Sequence, residues 1–320
     1  MKNSMLYYSV GALLYSPANN ETIVNSLINQ KFGEKFSLAL CLEDTIEDSC
    51  VLEAENKLIS TITNIFNHQQ TSSFYQPKIF IRVRNPEQIV RIKRALGKFM
   101  ETVTGFILPK FSLDNADNYI HTVIKINEES AKPIYVMPIY ESSSMIDLRD
   151  RYHILYTLKD KLKTIEELVL NIRVGGNDLC HLFGFRRHSN ESIHKISPIA
   201  NIFSDIITVY GMDYVISGPV WEYYDGFHWK EGLIQEINDD KLCGFIGKTV
   251  IHPKQIEIVN SSYQVLHKDL EDAKAILNWD LTSPSLVSAN IGRERMNEYK
   301  THSNWARQTI MLSQVFGTKE

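Results

Sequence analysis

Two acidic residues of this sequence stand where apolar runs end. Glu141 ends the run IYVMPIYE, and Asp178 follows the run VLNIRVGGN. Two or three carboxylate oxygens together with water are how proteins usually hold Mg²⁺, so we predict that Glu141 and Asp178 are metal ligands. The alternative is that both are surface carboxylates that form salt bridges with Arg173 or Arg186.

Arg82 and Arg84 lie two residues apart in the run IFIRVRN. Alternate residues of a strand share one face, so we expect both guanidinium groups on the same side. A guanidinium there can bind a carboxylate with two hydrogen bonds and stabilise negative charge that develops on oxygen. We therefore predict that Arg82 is catalytic and that Arg84 contacts the substrate. An outward-facing pair is the alternative; for Arg82 it is disfavoured, because outer faces of parallel sheets are covered by helices and tolerate charge poorly.

Glu43 and Asp44 form an acidic pair at the end of the run FSLALCLED. We predict that they are catalytic, because such a pair can orient a water molecule or act as a base. For one of the two, the alternative is capping of the next helix. Further residues at run ends are predicted to contact the substrate: Lys110, Gly176, Asn177 and His252.

Lys110 and His252 each have an alternative interpretation. A Schiff base at Lys110 is disfavoured, because no neighbour that would lower the pKa of its amine is visible in the sequence. A buried, hydrogen-bonded histidine is the alternative at His252.

Eight short apolar runs, each followed by a helical stretch, must position these residues. Strands that alternate with helices pair in parallel through helical crossovers. Eight such units can close a barrel whose chemistry takes place at the carboxyl ends of its strands. The predicted fold class is α/β: a (β/α)8 TIM barrel over residues 1–285 with a C-terminal helical extension over residues 286–320. The runs are residues 11–17, 36–44, 79–85, 105–110, 134–141, 169–178, 214–219 and 247–252.

The helices between these runs are predicted from apolar periodicity. They are expected at residues 20–32, 51–67, 86–100, 116–126, 193–210, 233–242 and 253–278. Residues 142–168 are longer than one crossover requires and should hold two helical pieces, 147–158 and 161–168. This insertion either shapes substrate access or decorates the surface. Residues 289–296 and 304–316 are expected to be terminal helices that pack across the barrel or on a neighbouring subunit.

Composition narrows the class of protein. The 320 residues are 43% hydrophobic and 22% charged, with a net charge of -4, which is typical of a globular protein with a sizeable core and an ordinary soluble surface. The sequence contains no basic block that would suggest nucleic acid as a partner. Its longest apolar runs are too short to cross a bilayer. The four cysteines form no CxxC pair, which argues against a structural zinc site and a disulfide framework and favours a cytoplasmic location.

The order of the motifs resembles the citrate-lyase-β group of the HpcH/HpaI aldolase superfamily over nearly the whole chain. Seven motifs in the right order argue against accidental similarity. They are Leu-Glu-Asp at 42–44, an arginine-bearing strand before Asn-Pro at 82–86, Leu-Pro-Lys at 108–110, the strand-end glutamate at 141, Gly-x-x-x-Leu at 175–179 with its aspartate at 178, Gly-Pro at 218–219 with Asp225, and Gly-Lys-x-x-Ile-His-Pro-x-Gln at 247–255.

The resemblance implies a TIM barrel with Mg²⁺ on Glu141 and Asp178 and with Arg82 as the family's arginine. In such enzymes the metal and the arginine hold an acid substrate and stabilise an enolate when a carbon-carbon bond is cleaved or formed. The substrate is a small carboxylic or 2-oxo acid, in some relatives an acyl thioester. Relatives assemble as trimers or hexamers in which the C-terminal segment closes a neighbour's site. Glu298 of Met296-Asn297-Glu298 would replace the aspartate of that segment.

Some features depart from the family pattern. The first strand ends in Ser16-Pro17-Ala18-Asn19 where relatives carry Pro-Gly, and Arg84 stands where a neutral residue is expected. These features, with Arg186-Arg187 and the long 142–168 stretch, resemble a divergent bacterial branch associated with tellurium-resistance and stress operons. Arg186 and Arg187 are expected either to bind an anionic group of the substrate or to be a solvated pair.

We therefore expect a Mg²⁺-dependent carbon-carbon lyase. Two alternatives remain. An acyl-CoA thioester hydrolase could use the same site. A non-catalytic barrel could serve as a subunit of a stress-response complex; the altered loop after the first strand motivates that alternative.

Overall fold

Eight parallel strands form the centre of the computed structural model, which describes residue 2 and residues 4–320. Their order in the sheet is β7-β6-β5-β4-β3-β2-β1-β8, and a parallel bridge between Gly218 and Lys248 joins the two edges. The chain therefore forms the predicted barrel. The strands are β1 Ala12–Pro17, β2 Phe36–Cys41, β3 Lys78–Arg82, β4 Val103–Leu108, β5 Tyr135–Tyr140, β6 Ile172–Val174, β7 Ile216–Ser217 and β8 Lys248–Val250.

Helices cover the outside of this barrel. They are α1 Met5–Tyr8, α2 Ile23–Ile28, α3 Val51–Thr71, α4 Pro86–Leu96, α5 Ala116–Glu128, α6 Arg151–Lys163, α7 Gly176–Phe183, α8 Ser197–Tyr210, α9 Trp229–Cys243, α10 Lys254–Tyr263, α11 His267–Leu277 and α12 Tyr299–Phe316. α4 illustrates how the sequence sets a boundary: Pro86 occupies the first turn, and the Asn85 side chain accepts a hydrogen bond from the Gln88 amide at 2.9 Å. This is a typical helix start.

Strand alternation decides which side chains enter the barrel. The guanidinium of Arg173, on β6, donates to the hydroxyl of Thr249, on β8, although β7 lies between these strands in the sheet. Both side chains therefore lie inside the barrel. Lys248, one residue before Thr249, contacts α9 on the outside through Glu236 and Asp240. Successive strand residues point to opposite faces, and both faces of this sheet are buried.

Every one of the eight apolar runs contains a strand, but the predicted details differ in places. The run 169–178 is a strand only at Ile172–Val174, and its last residues begin α7. The stretch predicted as one helix at 253–278 is divided into α10 and α11 by a short strand, β9 Val265–Leu266. In 142–168 the main helix is α6, with 3-10 turns at Ser143–Met145 and Glu166–Leu168.

The helix predicted at residues 289–296 is wrong. The chain forms an antiparallel hairpin there, β10 Val287–Ala289 and β11 Met296–Glu298. Asn290 explains the turn, because its side-chain oxygen accepts the amide of Glu294 at 2.9 Å, and Arg293 has a positive φ of 55°. An asparagine that bonds the nearby backbone competes with helix formation.

The C-terminal segment packs on its own barrel. Phe316, at the end of α12, stacks on Tyr263 with ring centroids 5.3 Å apart, and β12 Thr318–Lys319 pairs with β9. The domain division at residues 285/286 and the contact with a neighbouring subunit stay predictions. Within the part of the chain that the structure describes, no helix is long and apolar enough to cross a membrane.

Candidate active site at the barrel mouth

Six predicted residues follow the carboxyl ends of five neighbouring strands. We call this group the mouth cluster: Glu43 and Asp44 after β2, Arg82 at the end of β3, Lys110 after β4, Glu141 after β5, and Asp178 in the first turn of α7 after β6. The parallel arrangement brings all these strand ends to one edge of the barrel.

Arg82 lies at the centre of the mouth cluster. Its Nη2 atom is 2.6 Å from Glu43 Oε2, 3.0 Å from Asp44 Oδ2 and 3.1 Å from Glu141 Oε1. The Nε atom is buried and has no hydrogen-bond partner among the described residues. The guanidinium of Arg82 thus pairs with three carboxylates, and its Nε–H could still donate a hydrogen bond to a bound acid.

Glu141 is the most deeply buried acid of the mouth cluster, at 4% exposure. Its Oε1 atom also accepts the Lys110 amide at 3.0 Å. Burial raises the pKa of Glu141 from its usual 4.5 to about 8; the charge of Arg82 opposes this rise and the charge of Asp178 adds to it. The charges of the two predicted metal ligands, Glu141 and Asp178, therefore interact across the mouth.

Gly175 makes room for this carboxylate. A Cβ atom at Gly175 would lie 2.2 Å from Glu141 Oε2 and 2.4 Å from Glu141 Cβ, closer than non-bonded atoms approach. The absence of a side chain at Gly175 therefore accommodates the side chain of Glu141. Gly176 is similarly filled, because its Cβ would lie 2.6 Å from Ile193 Cδ1.

Lys110 and the acidic pair form the outer part of the mouth cluster. Lys110 Nζ lies 2.6 Å from Glu43 Oε1 and 3.0 Å from Asp44 Oδ1. Burial raises the pKa of Glu43 above its usual value, although Arg82 opposes it. Burial would also raise the pKa of Asp44, but its contacts with Glu43, Arg82 and Lys110 hold it below its usual value. The two adjacent acids therefore differ in proton affinity, an arrangement suited to acid-base chemistry.

The donors available at the mouth suit a hard divalent cation. Among the described residues, no group of three or more histidine, cysteine, aspartate or glutamate side chains could enclose a metal ion. An ion bound by Glu141 and Asp178 would therefore need water or substrate as its other ligands, which is how Mg²⁺ is often held. No hydrogen bond from the described residues reaches Glu141 Oε2, so this oxygen remains available as a ligand. The alternative salt bridges to Arg173 and Arg186 do not form: Glu141 pairs with Arg82, and Arg186 pairs with Glu222.

Arg84 does not share the position of Arg82. It lies beyond the end of β3, and its Nε donates to the Leu42 carbonyl at 2.7 Å, while its Nη atoms contact Asp48 and the Ile46 carbonyl. These contacts fix the loop that carries Glu43 and Asp44. Its predicted contact with substrate stays a prediction, and the structure assigns its donors to the loop.

His252 and Asn177 lie around the mouth but outside the mouth cluster. The His252 ring stacks on Tyr224 with centroids 4.6 Å apart, and its Nδ1 accepts the Lys254 amide at 3.2 Å. Asn177 Oδ1 accepts a hydrogen bond from Arg187 Nη1 at 3.1 Å. Their roles as substrate contacts stay predictions.

A second ionic cluster, outside the barrel, was not found from the sequence. We call it the outer network: Arg187, Glu236, Asp240 and Lys248. Lys248 Nζ lies 3.0 Å from Glu236 Oε1 and 2.7 Å from Asp240 Oδ2, and Arg187 Nε lies 3.0 Å from Glu236 Oε2. Arg187 is 2% exposed, so the expectation of a solvated arginine is wrong for it. Arg186, in contrast, is exposed. The expectation that Arg187 binds an anionic group of the substrate stays a prediction.

Tyr15 and Arg173 were also missed as parts of the site. Tyr15, on β1, lies under the Arg82 guanidinium, whose carbon is 5.9 Å from the ring centre. A signal was present, because Asn171 and Arg173 alternate with apolar residues along the run that contains β6. Polar residues on one face of a buried strand point to the barrel interior.

The chain matches one family model. The family model described as C-C bond lyase of the TIM-barrel fold matches residues 4–318. The comparison with curated proteins finds no match.

Solved structures of low sequence identity share the fold. The protein CitE from Mycobacterium tuberculosis, in complex with magnesium, acetoacetate and coenzyme A, is 17% identical with a TM-score of 0.64, covering 97% of this chain and 99% of that one. A citrate lyase from Burkholderia xenovorans LB400 is 13% identical with a TM-score of 0.72, covering 97% and 93%. RipC from Yersinia pestis is 16% identical with a TM-score of 0.53, covering 80% and 95%.

Proposed function

Because this chain belongs to the C-C bond lyase family of the TIM-barrel fold, we propose that it is a Mg²⁺-dependent lyase acting on a small carboxylic or 2-oxo acid. The observation that carries the proposal is the convergence of Glu43, Asp44 and Glu141 on the single guanidinium of Arg82. Glu43 and Glu141 are buried, and with Asp44 they outnumber the two cations Arg82 and Lys110, so a further cation would stabilise the group.

Glu141 and Asp178 would hold the magnesium ion. When bound, it would act as a Lewis acid that stabilises negative charge on an oxygen of the substrate. One observation supports the fit: no hydrogen bond from the described residues engages Glu141 Oε2. CitE of M. tuberculosis was solved with magnesium and acetoacetate or oxaloacetate, which motivates a small oxo acid as substrate.

Arg82 would bind the substrate carboxylate or the oxygen on which charge develops. Its position is fixed by carboxylates on two sides, so little reorganisation is needed during the reaction. Glu43 and Lys110, 2.6 Å apart, would exchange a proton with the substrate carbon or with water. Burial raises the pKa of Glu43 above its usual value, which increases the affinity of its carboxylate for such a proton.

Metal affinity is the first test. Glu141→Gln keeps the size of the side chain but removes its charge, and we expect magnesium affinity, measured by calorimetry, to fall at least about tenfold. Glu129→Gln is the matched control, because Glu129 is an exposed glutamate paired with Lys93 on the other side of the barrel wall. Unchanged magnesium affinity in Glu141→Gln would refute the ligand assignment.

Product analysis tests the reaction itself. We expect a panel of small 2-oxo acids and acyl thioesters to yield products with a shortened or extended carbon chain. A free acid with its carbon chain intact would instead indicate thioester hydrolysis. Activity should be lost in Arg82→Met and kept in Arg186→Met.

A further inference from the structure

Among the residues that the structure describes, one buried arginine has no acidic partner. Four arginines are buried in the described residues: Arg82, Arg151, Arg173 and Arg187. Arg82 pairs with Glu43, Arg151 with Asp205 at 2.8 Å, and Arg187 with Glu236. No carboxylate of the described residues lies within ion-pair distance of Arg173, which is 2% exposed.

Neutral groups take the hydrogen bonds of Arg173. Its Nη2 donates to the Thr249 hydroxyl, and its Nη1 lies 3.4 Å from Asn171 Oδ1. Hydroxyl and amide oxygens satisfy donors but do not neutralise charge. A buried guanidinium without a counter-charge costs several kcal/mol of stability in general.

Arg173 lies directly beneath the mouth cluster. On β6 it is two residues before Gly175, whose Cα borders the Glu141 carboxylate. Tyr15 lies between the two barrel arginines: the Arg82 guanidinium lies over its ring, and the charges of Arg82 and Arg173 both act on its phenol. Tyr15 itself keeps partial contact with solvent, so the charge of Arg173 is separated from the mouth by one side chain.

The charge of Arg82, in contrast, is already offset by three carboxylates. Arg173 is therefore a cation beneath the mouth that has no acid within ion-pair distance among the described residues. Between buried groups, a unit charge is screened less than in water and acts over several ångströms. It would favour an anion placed above Tyr15.

We propose that Arg173 determines the affinity of this site for anionic substrates. The positive charge of Arg173 would act on the substrate from beneath Tyr15, and Arg173 would not contact the substrate. The inference rests on the proposed function in that the anion is the acid substrate of the lyase site. It adds a specificity-determining residue: the site should select carboxylate anions over their neutral esters and amides because of Arg173.

The test uses pyruvate as the probe and compares three variants of the full chain. Arg173→Met removes the charge, Arg173→Lys retains it, and Thr249→Val removes only a hydrogen-bond acceptor. We expect the dissociation constant for pyruvate to rise roughly tenfold in Arg173→Met and to change less than about threefold in the other two. The urea midpoint of Arg173→Met should be no lower than that of the unchanged chain, because the buried charge has no ion pair to lose.

An electrostatic role and a structural role of Arg173 predict different affinities for pyruvate in the lysine and methionine variants. If Arg173→Lys lost as much affinity as Arg173→Met, or if Arg173→Met bound pyruvate as tightly as the unchanged chain, the proposal would be overturned. Failure of the unchanged chain to bind pyruvate, with or without magnesium, would also overturn it.

Titrations without magnesium separate this proposal from the proposed metal site. Arg173-dependent binding without magnesium would support the arginine even if Glu141→Gln left magnesium affinity unchanged.

Discussion

The mouth cluster and the outer network are both buried ionic groups built around an arginine, but their charges balance differently. The outer network contains two cations and two acids, and Lys248, Glu236 and Asp240 have fully buried side chains. The mouth cluster contains four acids and two cations, and Lys110 and Asp44 are about half exposed.

This difference separates a structural ion network from a reactive one. Every charge of the outer network has a partner of opposite sign, and Glu236 also accepts the Ile193 amide at 2.9 Å. The outer network therefore needs no further ion to balance its charge. The mouth cluster has surplus acid and open access, so an entering cation would balance its charge.

The largest expected effect comes from breaking the outer network. Lys248→Met should lower the free energy of unfolding by about 3–5 kcal/mol, because Glu236 and Asp240 would keep their charges in a buried site. Urea denaturation measures this change.

Lys163→Met serves as the control for that variant. Lys163 pairs with Asp160 at 2.8 Å on the surface, and its loss should leave the urea midpoint nearly unchanged. A loss of similar size in both variants would mean that the outer network contributes no more than a surface pair.

The next effect concerns the pH dependence of stability in the metal-free protein. The pKa of Glu141 is about 8 in the folded state and 4.5 ordinarily, so the folded state binds more protons between these values. The associated stability is present in full below pH about 4.5 and is lost as the pH rises through 8. Between pH 5.5 and 8.5, with a chelator present, the free energy of unfolding should fall by on the order of 2–4 kcal/mol more than in Glu141→Gln.

Glu129→Gln is again the control, since an exposed glutamate does not titrate in this range. It should follow the unchanged chain at every pH. Parallel pH profiles for Glu141→Gln and the unchanged chain would show that the mouth does not hold a carboxyl group of high proton affinity.

The sequence predicted the barrel and the mouth cluster because both follow from local pattern. Each apolar run ends at the residue that begins the site, and parallel strands bring these ends together. Thus Glu43, Arg82 and Glu141 could be assigned to one edge from their positions alone. The hairpin at 287–298 was missed because its turn depends on the side chain of Asn290, which apolar periodicity does not register.

The outer network could not be predicted for a different reason. Arg187, Glu236 and Lys248 are far apart in the sequence and lie on a loop, a helix and a strand, so no spacing rule connects them. Moreover, we expected the outer faces of strands to reject charge. Lys248 shows the exception: an outward charge is accommodated where helix α9 supplies two acids.

The smallest expected effect on stability comes from alanine substitution of a glycine. Each of the two clusters has a glycine packed against one of its carboxylates, so the same substitution can be compared in both. A Cβ atom would lie 2.2 Å from Glu141 Oε2 at Gly175 and 2.6 Å from Asp240 Oδ2 at Gly218. Neither glycine has a positive φ, so alanine introduces only the contact. Gly218→Ala should lower the free energy of unfolding by about 1–3 kcal/mol, because the closed network has no space to move its acid.

Gly175→Ala should act on binding as well as on stability. The new Cβ would also lie 2.4 Å from Glu141 Cβ, an atom that side-chain rotation cannot move away, so the whole residue must shift and its carboxylate leaves the position from which it would meet Asp178 at a shared ion. We expect magnesium affinity to fall roughly tenfold in Gly175→Ala and to stay unchanged in Gly218→Ala, as measured by calorimetry. If the two alanines weakened magnesium binding equally, the mouth cluster would not be the metal site, and the contrast in charge balance would carry no functional meaning.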